Sequence, residues 1–202
     1  TGRATGYYTT TEVLHEEGRA LDHAQTLSQR TPSRVRTDTA EAISAKRTMR
    51  DDQTAAYRHA VSAGDLKVVQ GRAGVGKTYT AQAIYEAHEQ SGQNVRALAP
   101  TNAAAHAMRD EGMKADTIHA ELYRIQNAQE KGKHHPWGQN TTLLIDEAAM
   151  VDTPTLSAAL SEARAQGAKV ILQGDERQLA SVERGGIYAE ISRRHGSRDI
   201  EE

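Results

Sequence analysis

Cysteine and phenylalanine are absent from the 202-residue sequence, and tryptophan occurs only once. The absence of cysteine excludes disulfide bonds, thiol catalysis and cysteine-ligated zinc sites. A reducing, cytoplasmic setting fits a chain of this kind. Without phenylalanine, the hydrophobic core has to be built mainly from alanine, leucine, isoleucine and valine, so we expect a core with few bulky side chains.

Long apolar runs and an excess of one charge are also missing. No segment approaches the roughly 18–20 apolar residues that a membrane-spanning helix requires, and no basic-then-apolar signal opens the chain. We therefore expect no contact with a membrane. The 25 Lys and Arg residues nearly balance the 27 Asp and Glu residues, which gives a net charge of −2. Because domains that bind nucleic acid by bulk charge carry a basic excess, any such contact must here be local.

The sequence divides into two regions of different character. Residues 1–48 follow a helical pattern, carry no recognisable catalytic motif and include a polar linker near residues 31–37, so we predict a small helical accessory region there. Residues 49–202 form the predicted main domain. Because the chain begins with Thr1 rather than Met, we expect it to be part of a longer protein.

Short β-branched runs alternate with helical segments in the second region. The predicted strands cover residues 66–70, 95–99, 141–145 and 169–172, and the predicted helices cover residues 78–90, 102–110, 117–126 and 153–166, with a last helix starting near residue 186. Such alternation predicts an α/β fold with a parallel sheet flanked by helices. Ligands of these sheets bind at the carboxyl ends of the strands, where the polar motifs of this sequence fall.

A phosphate-binding loop follows the first predicted strand. Residues 71–78 read GRAGVGKT and match the pattern G-x-x-x-x-G-K-[ST]. The glycines let several backbone N–H groups converge on phosphate oxygens, and the next helix points the positive end of its dipole at the same anion. Lys77 supplies a charge for the β- and γ-phosphates of ATP, and the hydroxyl of Thr78 can bind Mg²⁺. The predicted nucleotide-contacting residues of this segment are Gly71, Arg72, Ala73, Gly74, Val75, Gly76, Lys77, Thr78 and Tyr79.

Two later strands also end in polar side chains. Asp146 and Glu147 follow the apolar run 143–145. Asp146 would hold Mg²⁺ directly or through water, and Glu147 would orient or deprotonate the attacking water. After the strand near residues 170–172, Gln178 follows within a short turn. Its amide can contact a γ-phosphate or the attacking water, although spacing alone would equally fit a plain turn.

The polar stretch 129–140 is predicted to be an exposed loop. Three interpretations of it remain open from the residues alone. It can be a plain surface loop, a metal site at His134 and His135, or a DNA contact in which Trp137 stacks on a base.

Taken together, the motifs from about residue 51 to residue 191 resemble those of superfamily 1 helicases of the RecD-like branch. The resemblance implies a RecA-like P-loop NTPase domain. It also implies that Gln53 of the segment RDDQTAA recognises adenine and that Gln178 senses the γ-phosphate. The segments LAPTNAAA at 98–105 and TIH at 117–119 resemble the two motifs that contact single-stranded DNA. The implied DNA-contacting residues are Pro100, Thr101, Asn102, Thr117 and His119, and for His119 a role in helix packing is an equal alternative.

Within that branch, three segments are similar to the helicase half of conjugative relaxases of the TraA/TraI type. They read YTTTE at 8–12, GRAG at 71–74 and DEAAMV at 146–151. The resemblance implies an ATP-dependent helicase motor that moves 5′ to 3′ on single-stranded DNA in the bacterial cytoplasm. It also implies a second motor domain and a DNA-nicking relaxase domain in the same polypeptide.

Neither of those further domains has its motifs in this sequence. The motifs of a second motor domain, including the arginine that reaches the γ-phosphate, do not occur, and no His-x-His metal motif of a relaxase does either. Because such an arginine is worth ~10³–10⁵ in rate, we expect weak or no ATP hydrolysis and no unwinding by this segment alone. Three other functions remain open: a P-loop ATPase or kinase with another substrate, a non-catalytic interaction module, and a RecD-type repair helicase.

Overall fold

The computed structural model describes residues 11–72, 74–176 and 186–201. The first part contains three helices, α1 (Thr11–Ser28), α2 (Thr37–Lys46) and α3 (Asp51–Val61). The strands and helices that follow are β1 (Leu66–Gly71), α4 (Lys77–Gln90), β2 (Asn94–Ala99), α5 (Asn102–Asp110), β3 (Ala115–Thr117), α6 (Ile118–Glu130), β4 (Thr141–Ile145), a 3-10 turn (Ala148–Met150), α7 (Thr153–Gln166), β5 (Lys169–Gly174), α8 (Gly186–His195) and β6 (Arg198–Ile200).

The described strands form one six-stranded sheet in the order β3-β2-β4-β5-β1-β6. All of its pairings are parallel, as expected when strands alternate with helices along the chain. The predicted α/β fold with a parallel sheet flanked by helices is therefore confirmed, and so are the four predicted strands. Strands β3 and β6 were not predicted, because three-residue strands are too short to show a periodic pattern.

Two cores pack on the two faces of the sheet. Alternate residues of β4 enter opposite cores, with Leu143 and Ile145 on one face and Leu144 on the other. Helices α1, α6, α7 and α8 cover the first face, and helices α2 to α5 cover the second. Many buried residues are alanines, as the composition predicts, but Tyr57 and Tyr188 are also fully buried and supply bulk that phenylalanine would otherwise provide.

Helix α1 packs against the same core as the sheet. Ala20, Ala24 and Leu27 are completely buried together with Leu156 and Leu160 of α7. The division at residue 48 into an accessory region and a main domain stays a prediction. What the packing adds is that the small alanine side chains let α1 and α7 approach closely.

The prediction of an exposed loop at 129–140 is wrong in one important respect. Trp137 is only 3% exposed, and its indole N–H donates a hydrogen bond to the buried carboxylate of Glu121 at 2.9 Å. A tryptophan held in this way cannot stack on a base, so the DNA-contact interpretation of this segment is wrong too. His135 packs edge-on against Trp137 and lies 3.0 Å from Glu162.

The described residues contain no group of three or more histidine, aspartate or glutamate side chains placed to hold a metal ion, so none forms around His134 and His135. None of the helices in the described ranges combines the length and the apolar character needed to cross a bilayer.

Candidate functional site

Because the sheet is parallel, the carboxyl ends of its strands share one edge. The phosphate loop follows β1, the two carboxylates follow β4, and Asp175 follows β5. In the strand order β4, β5 and β1 are consecutive. The described residues of the predicted phosphate loop, 71–72 and 74–78, are therefore brought together with residues 146–147 at this edge, although more than 60 positions separate the two segments along the chain.

The phosphate loop has the backbone conformation that its glycines permit. Gly74 and Gly76 have φ values of +85° and +87°, in the left-handed region. Gly76 directly precedes α4, so the first N–H groups of α4 have no acceptor within the helix. The Lys77 ammonium donates a hydrogen bond to the carbonyl of Gly71 at 2.7 Å, which links the two ends of the loop. The predicted contact Ala73 lies outside the described residues.

The side chains of Arg50, which directly precedes α3, and of Gln53 in α3 support the phosphate loop. The carbonyl of Val75 accepts hydrogen bonds from the amide of Gln53 at 3.3 Å and from the guanidinium of Arg50 at 2.9 Å. The amide oxygen of Gln53 accepts from the backbone N–H of Arg50 at 3.1 Å. Gln53, which the resemblance assigns to adenine, is thus buried against the loop, and the supporting role of Arg50 has no signal in the sequence.

The residue Gly76 is also fixed by close packing. A Cβ atom at this position would collide with the amide nitrogen of Gln53. The left-handed backbone favours glycine here, and the amide end of the Gln53 side chain would have to move to admit any other side chain.

The carboxylates Asp146 and Glu147 lie beside the phosphate loop. The backbone N–H of Asp146 donates to the carbonyl of Leu98 at 2.9 Å, and a side-chain oxygen of Asp146 accepts from the Glu147 N–H at 2.9 Å. Burial raises the pKa of Asp146, and the Glu147 hydrogen bond and the charge of Lys77 oppose that rise. Burial and the charge of Asp146 raise the pKa of Glu147, while Lys77 lowers it. The charge of Lys77 thus acts on both carboxylates.

The backbone at Glu147 is unusual. Its φ value of +50° is the only positive value found for a non-glycine residue in the described part of the chain. Such a conformation is held only where the surrounding structure determines it, and it occurs most often at functional sites.

The end of β5 completes this part of the site. Gly174 approaches the 3-10 turn so closely that a Cβ atom would lie 3.1 Å from the backbone nitrogen of Ala149 and 3.0 Å from the ring of Tyr188. Asp175 is nearly buried. The predicted γ-phosphate sensor Gln178 lies outside the described residues. Gln173 opens the segment QGDERQL, whose resemblance to a helicase motif assigns a role only to Gln178, and it is fully buried in this strand.

The predicted DNA contacts occupy the same edge at the ends of β2 and β3. The hydroxyls of Thr101 and Thr117 cap helices α5 and α6, accepting hydrogen bonds from Ala104 and Ala120 at 3.2 and 3.1 Å.

Asn102, at the start of α5, is exposed, and Pro100 is partly exposed. The exposed His119 lies 3.3 Å from the hydroxyl of Thr155.

The first turn of α4 carries a partly exposed aromatic ring, that of Tyr79. Tyr79 is 37% exposed, and the guanidinium carbon of Arg47 lies 5.2 Å from the centre of its ring. A hydrogen bond of 2.9 Å from Arg47 to Glu86 holds this guanidinium in place. Thr78, the predicted magnesium ligand, is exposed in the same turn.

Comparison with known proteins gives consistent matches. The AAA domain family model matches residues 48–202. The chain is 31% identical over 201 residues to the probable conjugal transfer protein TraA of Sinorhizobium fredii, covering 98% of this chain and 18% of that protein. It is 35% identical over 138 residues to the multifunctional conjugation protein TraI of Escherichia coli, covering 66% of this chain and 8% of that protein.

A third match is to the RecBCD enzyme subunit RecD of Mycobacterium tuberculosis, with 34% identity over 165 residues, covering 70% of this chain and 28% of that protein. The chain spans less than a third of the length of each of these relatives. The matches confirm the predicted resemblance to the RecD-like and TraA/TraI-type proteins.

Proposed function

The chain belongs to the AAA domain family, and from this premise we propose that it is the ATP-binding motor domain of an ATP-dependent DNA helicase. The observation that carries the proposal is the meeting of Lys77, Asp146 and Glu147 at one edge of the sheet, where the charge of Lys77 acts on both carboxylates. A lysine for phosphate, an acid for the metal ion and a second residue that orients the water are the side chains that P-loop NTPases use in phosphoryl transfer.

The donor set fits a magnesium ion. Mg²⁺ prefers oxygen ligands, takes few of them from protein and keeps several waters. The hydroxyl of Thr78 and the carboxylate of Asp146 are oxygen donors beside the loop. Among the described residues, the Asp146 carboxylate accepts a hydrogen bond from the Glu147 N–H alone. These two residues would hold the ion, which supplies charge neutralisation to the phosphates when bound.

The other residues of the site then have separate tasks. The N–H groups at the start of α4 bind phosphate oxygens, and Lys77 exchanges the carbonyl of Gly71 for the β- and γ-phosphates. Glu147 orients the attacking water and accepts its proton, and its raised pKa suits a general base. Gln178 would sense the γ-phosphate, as the resemblance implies.

The base of the nucleotide would be held by the side chains of Gln53 and Tyr79. Gln53 would recognise adenine after exchanging its present partners, and Tyr79 would offer the face of its ring, stiffened by Arg47. Arg72, Gly74 and the rest of the loop would contact phosphate through their backbone N–H groups.

Single-stranded DNA would lie along the same edge, across the ends of β2 and β3. Pro100, Thr101, Asn102, Thr117 and His119 are the proposed contacts. A direct path for coupling exists, since the carbonyl of Leu98 in β2 accepts from the backbone N–H of Asp146. A shift of the β2 end on DNA would therefore act on the proposed magnesium ligand.

The role of the whole protein is proposed from its relatives. Two of them are named as conjugation proteins, and the TraA alignment covers nearly the whole chain, whereas the RecD alignment covers 70% of it. This favours a conjugative relaxase-helicase with 5′ to 3′ movement, a second motor domain, a relaxase domain and a bacterial cytoplasmic location. A RecD-type repair helicase is the alternative.

The experiment that tests the proposal is a titration with a fluorescent ATP analogue, with and without Mg²⁺. We expect Mg²⁺-dependent binding that Lys77→Ala weakens at least about 10-fold, because a charged hydrogen bond to phosphate is lost. Lys114→Ala is the matched control, since that lysine is exposed and remote from the loop. Equal binding by Lys77→Ala and the unchanged protein would contradict the proposal.

A second measurement separates the remaining alternatives. In the full-length protein, single-stranded DNA should raise the rate of ATP hydrolysis. Hydrolysis that does not respond to DNA would indicate a P-loop ATPase with another substrate. If Lys77→Ala leaves every activity of the full-length protein unchanged, the phosphate site is not used, and the domain is a non-catalytic interaction module.

A further inference from the structure

Gln173 of β5 has an amide with no hydrogen-bond partner in the described structure. The side chain is completely buried, and neither its oxygen nor its nitrogen forms a hydrogen bond. Buried amide groups are nearly always paired, because leaving them unpaired forfeits their hydration without replacement. A glutamine in the middle strands of a sheet therefore calls for an explanation.

The strand register locates Gln173 at the height of the proposed magnesium ligand. Leu172 of β5 pairs with Ile145 of β4, and Gln173 is opposite Val69 of β1. Asp146 directly follows β4, and the hydrogen bond from its backbone N–H to the carbonyl of Leu98 continues the sheet ladder by one step. Gln173 and Asp146 are thus neighbours on adjacent strands, which lie about 4.8 Å apart.

The alternation of side chains puts both residues on the same face of the sheet. Leu172 and Ile145 belong to the core beneath α7, whereas Ile171 and Leu144 belong to the core beneath α4. Because the side-chain period of a strand is two, Gln173 and Asp146 follow Ile171 and Leu144 onto the α4 face. That face is the one where α4 begins, with Lys77 and Thr78 in its first turn.

We propose that Gln173 is a positioning residue for the magnesium site. Its amide nitrogen donates to the carboxylate of Asp146, and its amide oxygen accepts from a water bound to the ion. Both unpaired atoms of Gln173 then have a partner, and Mg²⁺ retains the waters that it gives up reluctantly. The inference rests on the proposed function, and it adds a residue outside the phosphate loop and the two carboxylates.

The test compares Gln173→Met with the unchanged protein by nucleotide titration, in excess Mg²⁺ and in excess chelator. Methionine keeps the length of glutamine and removes both polar atoms. We expect affinity in chelator to stay within about twofold, while the gain in affinity on adding Mg²⁺ falls about 10-fold, the low end for residues that orient metal ligands. The thermal midpoint of the nucleotide-free protein should not fall, because the atoms removed are unpaired.

Thr142→Val is the matched control. Thr142 lies on the same face of β4, is completely buried and has an unpaired hydroxyl, but it is four residues before Asp146. Its replacement should leave the Mg²⁺ dependence of binding unchanged. Gln173→Leu, with a different apolar shape, should repeat the result of Gln173→Met and guards against a misfolded variant.

The outcomes distinguish this inference from the proposed function. If the unchanged protein shows no Mg²⁺-dependent binding, the proposed function itself fails. If that dependence is present and survives in both Gln173 variants, only the positioning role is overturned. Equal weakening with and without Mg²⁺ would also overturn it, since a merely structural role predicts that pattern.

Discussion

Two features of Gly76 oppose substitution in the phosphate loop. Its left-handed φ and the amide of Gln53 both oppose a side chain. We expect Gly76→Ala to lower the free energy of unfolding by about 2–3 kcal/mol, combining backbone strain with displacement of Gln53. Urea unfolding measures this.

Gly92→Ala is the control for the glycine prediction. Gly92 has a similar φ of +82° but open space around its missing Cβ. It should lose only the strain contribution, about 1–2 kcal/mol. Equal losses at the two positions would mean that the Gln53 amide does not constrain the loop.

Glu147 is expected to act through its deprotonated form. Glu147→Gln in the full-length protein should retain binding of ATP and reduce hydrolysis by about 10²–10⁴, the range for a lost general base. Because burial and Asp146 raise the pKa of Glu147, hydrolysis should fall on acidification at a higher pH than for an ordinary glutamate. The pH profile of the turnover rate measures this. A profile that stays flat down to the ordinary glutamate range would contradict the assignment.

At the scale of elements, Glu121 joins α6 to the segment that carries Trp137. Its buried carboxylate accepts from Trp137, from Arg96 at 2.7 Å and from Arg124. Glu121→Gln should destabilise the protein by about 2 kcal/mol, less than for a fully buried pair because both arginines are partly exposed. Unfolding followed by the emission of the single tryptophan measures this loss of stability.

A partly exposed carboxylate provides the comparison for the buried Glu121. Glu190 also pairs with two arginines, Arg193 and Arg194, on the surface of α8. Such exposed pairs contribute little to stability, so Glu190→Gln should leave the unfolding midpoint nearly unchanged. A loss as large as that of Glu121→Gln would show that burial is not what distinguishes the two sites.

The contact between α1 and α7 depends on small residues. Ala24 has no exposed surface, so Ala24→Leu should overpack the contact and lower stability by about 1–3 kcal/mol. Gln25→Leu, on the exposed side of the same helix, should change it little. Thermal unfolding compares the two, and no loss for Ala24→Leu would mean that α1 does not pack tightly.

Sequence patterns predicted the helices and strands, because these follow a periodic pattern of residues. They missed individual tertiary contacts, which follow no such pattern. The alternation of strands and helices placed Asp146 at a strand end beside the phosphate loop, because parallel topology fixes that edge. The burial of Trp137 was missed because its partner Glu121 lies in another element. The support of the loop by Arg50 and the buried amide of Gln173 likewise depend on tertiary neighbours that no local pattern encodes.

At the scale of the whole molecule, several basic groups lie near the edge of the sheet that is formed by the amino ends of its strands. Lys169 is fully buried, and its ammonium donates to the carbonyl of Ser62 at 2.9 Å. Burial, with a smaller contribution from Lys67, lowers the pKa of Lys169 from 10.5 to about 7. Burial likewise lowers the pKa of His59 to about 4 and that of His88 to about 3.

These shifts set the direction of the pH dependence of stability. Between pH 7 and 10.5 the unfolded chain binds a proton at Lys169 that the folded chain does not, so this group makes stability rise with pH in that window. Below pH 7 both states are protonated and its unfavourable contribution is constant. The two histidines add loss of stability below pH 6.5.

Lys169→Met should therefore raise stability at pH 7 and flatten its rise toward pH 10. Denaturant unfolding of both proteins across this range gives the difference directly. A difference that does not change between pH 7 and pH 10 would show that Lys169 is charged in the folded state throughout.

The strand order also governs how the protein is made. Strand β1 lies between β5 and β6, and its pairing partner Val170 is synthesised more than 100 residues after Leu66. At about 5–20 residues per second, the growing chain on the ribosome carries an unpaired β1 for several seconds. The phosphate loop at the carboxyl end of β1 is therefore held in place only after β5 has been synthesised and has paired with β1. Nascent chains should therefore be unable to capture ATP, and shielding of β1 by a chaperone would protect them during that interval.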